Sequence, residues 1–333
     1  MLIVMHTKAT TAEIDAVCQY LENKSLQSEK LPGSNRVAIG VTGNKKAVSH
    51  DQIARMQGVK EIIYVTHKYK KVSREFYPEN TIVNVGQAAF GSGTNVIIAG
   101  PCSIESKEQI LASAKHVKAS GAQILRGGAF KPRTSPYDFQ GLGREGLDLI
   151  HQAGQEVGIP ICVEIMSIKD IDLYAQKCDM IQVGARNMQN FDLLKALGKL
   201  NTPILLKRGM SALVEEFLLA AEYILDGGNK NVVLCERGIR TFETSTRNIL
   251  DLNAVALIKK MSHLPIIVDP SHAAGRHDLV LPLAKAGLAV GADGIIVETH
   301  PKPMEALSDA NQQLDFKQFT QFMESINSNK PKY

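Results

Sequence analysis

The sequence predicts a parallel (β/α)8 barrel preceded by a small ferredoxin-like α+β unit. From residue 96 onward, short apolar runs alternate eight times with longer segments, several of them visibly amphipathic. The runs are continuous in Val, Ile and Leu, the signature of parallel strands covered by helices on both faces. Residues 1–66 lack that repeat and read as short strands and helices broken by Pro32, Gly33, Gly40 and Gly43.

Composition sets the outer bounds. With 333 residues, 44% hydrophobic and 22% charged, the chain suits one large soluble domain plus a small one. The net charge of +4 is mild and dispersed, Trp is absent and aromatics make up 5%, so stacking platforms for nucleic acid are not expected. No apolar run reaches the ~20 residues that span a bilayer, and MLIVMHTK is too short in its apolar part for a signal peptide. The five cysteines (Cys18, Cys102, Cys162, Cys178, Cys235) are odd in number and without framework spacing. Reduced thiols, and therefore the cytoplasm, are expected.

In the first unit, LIVM (2–5) is a short strand, and Thr10-x-x-Glu13 forms a capping box. Ile14, Val17, Cys18 and Leu21 then make one helical stripe. RVAIGV (36–41) is a strand, Ser49-x-x-Gln52 caps a second helix through Ile53 and Met56, and EIIYV (61–65) closes the unit. A βαββαβ order needs one more strand before Pro32, where SLQSEKL is weakly apolar. Residues 67–94 read as a polar linker followed by a strand or hairpin at TIVNV (81–85), and the barrel occupies 95–333.

The barrel strands are VIIAG (96–100), QILRG (123–127), ICVEI (161–165), MIQVGAR (180–186), ILLKRG (204–209), VVLCERG (232–238), IIVDPSH (266–272) and GIIVETH (294–300). Stretches such as 106–120 and 211–228 supply helices between them. Eight βα units over about 230 residues fit the usual barrel length of about 250. Each run ends on a polar or reactive residue: Cys102, Arg126, Glu164, Arg186, Lys207, Glu236 with Arg237, Asp269 with His272, and Glu298 with His300. In this fold the active site sits at the C-terminal strand ends.

The loop after the second strand, LRGGAFKPRTSPYDFQGLG (125–143), combines Arg126, Lys131 and Arg133 with Thr134, Ser135 and a Gly-rich backbone. Read alone, it fits a solvated basic turn as well as a phosphate cradle. Six cations (Arg126, Lys131, Arg133, Arg186, Lys207, Arg237) converging on one barrel mouth would repel without several negative charges among them. That points to substrates bearing more than one phosphate or carboxylate. A second subset, Cys102, His272, Glu298 and Asp309, offers mixed S, N and O donors from strands 1, 7 and 8 and the following loop. Such donors suit one divalent Mn, Fe, Co or Zn ion. Individually, Cys102 reads equally as a core thiol, His272 as a structural histidine and Asp309 as a helix cap.

Taken together, AGPCSIES (99–106), the 125–143 loop, VGARNMQN (183–190), LLKRGM (205–210), CERGIRTFE (235–243), DPSHAAGR (269–276) and VETHPKP (297–303) resemble 3-deoxy-D-arabino-heptulosonate 7-phosphate (DAHP) synthases of the short class I-beta form. The resemblance spans about residues 95–325, and KPRTS is its discriminating part. The sister synthase that makes 3-deoxy-octulosonate 8-phosphate carries an Asn-containing K-x-N-R variant there.

The resemblance implies a metal-dependent condensation of phosphoenolpyruvate with erythrose 4-phosphate, releasing phosphate, as the first step of the shikimate pathway. It implies metal ligands at Cys102, His272, Glu298 and Asp309. It implies phosphoenolpyruvate on Arg126, Lys131, Gly184, Ala185, Arg186, Lys207 and Arg237, and erythrose 4-phosphate on Arg133, Thr134, Ser135 and Asp269. Lys131, between the two, would protonate the forming alkoxide. The short broken elements of residues 1–66 do not suit the long helices of the chorismate mutase that some members carry. They resemble the ferredoxin-like regulatory domain of others, implying feedback inhibition by tyrosine or phenylalanine and a homotetramer. The alternatives are the octulosonate synthase, using arabinose 5-phosphate, and a non-catalytic barrel that senses sugar phosphates or an amino acid.

Overall fold

The structure is a computed structural model describing residues 1–32, 36–42, 48–63, 68–132 and 135–328. Two units follow one another, Met1–Glu79 and Asn80–Tyr333. The first contains β1 (Leu2–Met5), α1 (Thr11–Asn23), β2 (Gln27–Pro32), β3 (Val37–Thr42), α2 (His50–Ala54) and β4 (Val59–Ile63). They form an antiparallel sheet in the order β2-β3-β1-β4.

Placing β1 between β3 and β4 accounts for its unbroken apolar run. Ile3 and Met5 pack with Ile14, Val17 and Leu21 of α1, while Leu2 and Val4 pack on the opposite face with Leu31 and Phe76. Phe76 lies in the 67–94 stretch, which is divided: its first part belongs to the first unit, and residues from Asn80 belong to the second. The strand before Pro32 exists as β2. Its weak apolar signal follows from its place at the sheet edge, where only one face needs covering and charge discourages further pairing. The capping box forms, with the Glu13 N–H donating to Thr10 Oγ1 at 3.3 Å and the Thr10 N–H to Glu13 Oε2 at 2.7 Å. Ser49 is the N-cap residue of α2, but its side chain makes no capping bond, and the helix ends at Ala54, short of Met56. The last strand is described over Val59–Ile63, and positions 64 and 65 of the expected strand lie outside the described residues.

The second unit opens with a hairpin, β5 (Val83–Val85) and β6 (Ala88–Phe90). Eight parallel strands then close a barrel: β7 (Val96–Gly100), β8 (Ile124–Arg126), β9 (Ile161–Ile165), β10 (Met180–Val183), β11 (Ile204–Lys207), β12 (Val232–Glu236), β13 (Ile266–Val268) and β14 (Gly294–Glu298). Between them run α3 (Lys107–Ala119), α4 (Arg144–Val157), α5 (Ile171–Lys177), α6 (Phe191–Leu197), α7 (Val214–Asp226), α8 (Leu252–Met261), the short α9 (Pro270–Ala274) and α10 (Val280–Ala289), with α11 (Phe316–Ser328) last. Six of the eight expected strands overran the observed ones, most of all at β10 and β13. Asp269-Pro270-Ser271-His272 turns from β13 into α9, because Pro270 can start a helix but cannot donate to a ladder. Ala185–Asn187 is a single 3-10 turn after β10.

Strand alternation sorts the interior. At the N-terminal end Val96, Ile98, Ile124, Cys162, Met180, Leu205, Val233, Ile267 and Ile296 form one apolar cluster, and Val83, Val85 and Phe90 of the hairpin plug it. Two residues further along the same inward rows stand Arg126, Glu164, Gln182, Lys207, Asp269 and Glu298. An apolar lower half therefore supports a charged upper half. Among the described residues no helix is long and apolar enough to cross a membrane. Phe90 is fully buried in the plug. Replacing it with Ala is expected to lower barrel stability by about 3–5 kcal/mol in denaturant unfolding.

Candidate active site at the barrel mouth

Adjacent residues at two strand ends have opposite fates. Lys207 faces inward, whereas Arg208 turns to the barrel exterior, where its Nη1 donates to Glu236 Oε2 at 2.8 Å and Asp251 Oδ2 at 2.9 Å. Glu236, counted above among the strand-end residues, is therefore a buried structural partner outside the barrel, and the inward residue at that end is Arg237. His300 is likewise committed elsewhere, with Nε2 at 3.3 Å from Glu105 Oε2.

The inward residues form a charged core. Arg126 and Glu298 are buried and ion-paired. Lys207 Nζ donates to Asp269 Oδ2 at 2.6 Å. Lys131 Nζ lies 3.0 Å from Cys102 Sγ, and the thiol donates to Asp309 Oδ2 at 3.2 Å. Part of the negative charge that six cations require is therefore supplied by the protein's own carboxylates. Arg186 and Arg237 differ: among the described residues neither is ion-paired to a carboxylate, and the one bond of the Arg237 guanidinium is a long 3.5 Å contact to Gly238 O. Both line a cavity of about 200 Å³ over the barrel mouth, together with Lys131, Glu164, Lys207 and His272. Gly184 and Ala185 complete one wall. A Cβ on Gly184 would stand 2.0 Å from Glu164 Oε1, so only glycine lets that carboxylate lie against the β10 loop.

Ser135 is half-buried beside the cavity-lining loop, its Oγ accepting from the Tyr137 N–H at 3.3 Å. Arg133 and Thr134 lie outside the described residues. Asp269 is buried against Lys207, and its Oδ2 lies 2.8 Å from His272 Nδ1.

Cys102, Glu298 and Asp309 each present a donor atom within 4.8 Å of one another. His272 Nε2 is 3.5 Å from Glu298 Oε1, at the margin of the same cluster. One thiol, one imidazole and two carboxylates are a donor set suited to a divalent transition metal, so the residues fit such an ion. Asp269 stands close behind the far ring nitrogen of His272, where carboxylates orient metal-binding histidines, although that nitrogen lacks hydrogen-bond geometry to it here. Asp309 is one of two non-glycine residues with positive φ among those described, at +44°. It makes no helix-capping bond.

Environment sets the protonation states. Burial, reinforced by Glu298, pushes the Cys102 thiol up to about 12. Burial alone would raise Glu298, but His272, Arg126 and Lys131 outweigh it and hold the carboxyl below its usual range. Burial likewise opposes ionisation of Asp269, yet His272 and Lys207 hold it well below that range. Lys131 is lowered by burial and raised more strongly by Cys102 and Glu298, so it stays an ammonium. Burial lowers His272 against the opposing pull of Asp269 and Glu298, which favours the neutral imidazole that a metal ion requires.

Residues 70–332 match the DAHP synthetase I family, and residues 1–67 match the DAHP synthase ferredoxin-like domain. The chain belongs to the DAHP synthetase I family. It is 47% identical over 326 residues to a phospho-2-dehydro-3-deoxyheptonate aldolase of Thermotoga maritima, covering 98% of this chain and 96% of that one. A crystal structure of a Thermotoga maritima DAHP synthase aligns over 98% of this chain and 96% of its own, at 46% identity and a TM-score of 0.78. A 2-dehydro-3-deoxyphosphooctonate aldolase of Nitrobacter hamburgensis is 29% identical, covering 72% of this chain and 89% of its own. The chain is thus an enzyme of this family, with an eight-stranded barrel and a ferredoxin-like domain.

Four site neighbours were missed in the sequence. Gln182 was discoverable as a polar residue on the inward row of an apolar strand; its Nε2 donates to Glu164 Oε2 at 2.8 Å. Arg247, Gln312 and Gln313 sit on loops without periodicity and gave no signal. Arg247 Nη1 donates to Gln312 Oε1 at 3.0 Å, and Gln312 Nε2 to Glu298 Oε2 at 2.5 Å. Because the Cys102 thiol holds its proton through neutral pH, ligation as thiolate must release one proton. Affinity for Mn(II) or Zn(II) is therefore expected to rise about tenfold per pH unit between about pH 7 and 9. Calorimetry in buffers of different ionisation enthalpy measures the released proton.

Proposed function

We propose that this enzyme condenses phosphoenolpyruvate with erythrose 4-phosphate, forming DAHP and releasing inorganic phosphate, as the first step of aromatic amino acid biosynthesis in the cytoplasm. The observation that carries the reading is the pair of guanidiniums without a carboxylate partner among the described residues, Arg186 and Arg237, facing one cavity beside the thiol, imidazole and carboxylate cluster. Arg186, Arg237, Lys207, Arg126 and Lys131, with Gly184 and Ala185, take the phosphoenolpyruvate phosphate and carboxylate. Each charge-assisted bond contributes roughly 1.5–3 kcal/mol. Arg133, Thr134 and Ser135 take the aldose phosphate, and Asp269 its hydroxyl side.

Cys102, His272, Glu298 and Asp309 hold one divalent ion, which when bound supplies Lewis acidity for the aldehyde oxygen. The cations fix the two substrates so that C3 of phosphoenolpyruvate reaches the aldehyde carbon. Lys131, an ammonium within reach of the cavity and of Cys102, delivers a proton to the forming alkoxide. Water adds at C2, and phosphate departs with cleavage of its bond to that carbon.

The ferredoxin-like domain supports feedback inhibition by tyrosine or phenylalanine, and the family supports a homotetramer. The identity to the heptonate aldolase over nearly the whole chain favours erythrose 4-phosphate over arabinose 5-phosphate.

A phosphate-release assay tests the reading. Release is expected only with phosphoenolpyruvate, erythrose 4-phosphate and a divalent metal together. Turnover with arabinose 5-phosphate instead would assign the octulosonate reaction, and release unaffected by chelator would refute the metal. Cys102→Ala should lose metal and at least about a hundredfold in rate. In the same assay tyrosine or phenylalanine should slow the full chain and leave a chain lacking residues 1–66 unaffected.

A further inference from the structure

Asp309 sits in an unfavourable place for a ligand. It lies on the 299–315 connection after β14, in a left-handed conformation at φ +44° and ψ 40° that costs a non-glycine residue of order 1 kcal/mol. Glu298 and Cys102, by contrast, are at or just beyond the ends of barrel strands. A ligand on a strained connection keeps its place only if the connection is fastened on both sides.

The fastening is visible, and much of it passes through one carboxylate. Glu105, on the loop after β7, accepts the Leu307 N–H at 2.9 Å and the Ser103 hydroxyl at 3.3 Å through Oε1. Its Oε2 lies 3.3 Å from His300 Nε2. His300 Nδ1 accepts the Lys302 N–H at 3.0 Å, so Nε2 is the protonated nitrogen and donates to Glu105. Glu105 therefore grips the connection at its start and two residues before Asp309.

Other bonds complete the clasp. Ser103 Oγ meets Ser308 Oγ at 2.7 Å. Gln313 Oε1 accepts the Cys102 N–H at 3.0 Å, and Gln313 Nε2 donates to Ser308 O at 2.9 Å. The loop bearing Cys102 and the loop bearing Asp309 are thus tied together beside their two donor atoms.

We propose that Glu105 is a positioning residue for Asp309, fastening the β14 loop to the β7 loop so that a divalent cation meets these donors already assembled. This rests on the metal reading above. Glu105 touches neither cation nor substrate and acts through the loop it holds. A loosened loop must be reordered when the ion binds, and that ordering cost appears as lost affinity.

The test uses the full chain, stripped of metal and titrated with Mn(II), with free Mn(II) read by its paramagnetic signal. Glu105→Ala is expected to weaken binding about ten- to a hundredfold, the range for residues supporting metal ligands. Glu105→Gln, whose amide oxygen can still accept the Leu307 N–H but whose NH2 would face the His300 Nε2–H donor, should recover part of the affinity. In an Asp309→Ala background, adding Glu105→Ala should change nothing further, because the residue it positions is gone. Should Glu105→Ala not fold, Glu105→Asp, which withdraws the carboxylate by one methylene, takes its place. A folded Glu105 variant with wild-type affinity, or one that loses the same factor without Asp309, overturns the proposal. Wild-type protein that does not bind Mn(II), or Asp309→Ala that binds it normally, overturns the ligand assignment and the proposal with it.

Discussion

The buried Arg126–Glu298 pair is the constraint around which the barrel mouth is arranged. Neither charge tolerates a dry interior alone, and removing one partner of such a pair costs about 3–5 kcal/mol. The surroundings answer that demand on both sides. His272, Lys131 and the Gln312 amide stand on Glu298, while Cys102 and Asp269 stand near Arg126. The same neighbours that make the pair tenable are the ones whose chemistry suits a metal and an anionic substrate.

From that core outward the cations divide by what they already hold. Arg126, Lys131 and Lys207 are each engaged by a carboxylate or the thiol, and so are fixed in place. Arg186 and Arg237 carry no carboxylate partner among the described residues and face the cavity. The first group is held in place by its partners, and the second leaves positive charge facing the cavity, which suits an anionic ligand. Burial of Arg237 sharpens this, since a guanidinium withdrawn from water gains most from an arriving phosphate or carboxylate.

How far the sequence could be read depended on whether a residue's role followed from periodicity. β1 and the barrel strands are buried on both faces, so their apolar runs were unmistakable. β2 needs cover on one face only, and its polar composition hid it. Ser49 had the right type for a cap, but capping depends on a side-chain rotamer that residue type does not dictate. Glu236 ended an apolar run like its neighbours and still faces outward. A one-residue step in a strand reverses the face, and the end of a run does not reveal its phase.

The sequence by itself determined the eight-stranded barrel, all of the βαββαβ unit before it except the edge strand β2, and the set of chemistry-bearing residues at the strand ends. These follow from local repeats and from the types of side chain available. Only the tertiary structure decided which of those residues meet. It separated Lys207 from Arg208 and Arg237 from Glu236, and brought Asp309 to Cys102 across more than 200 positions of chain. It also revealed Glu105 as the clasp between their loops. Contacts between loops carry no period, so no pattern in the chain announces them; closure of the barrel creates them by making its first and last strands neighbours.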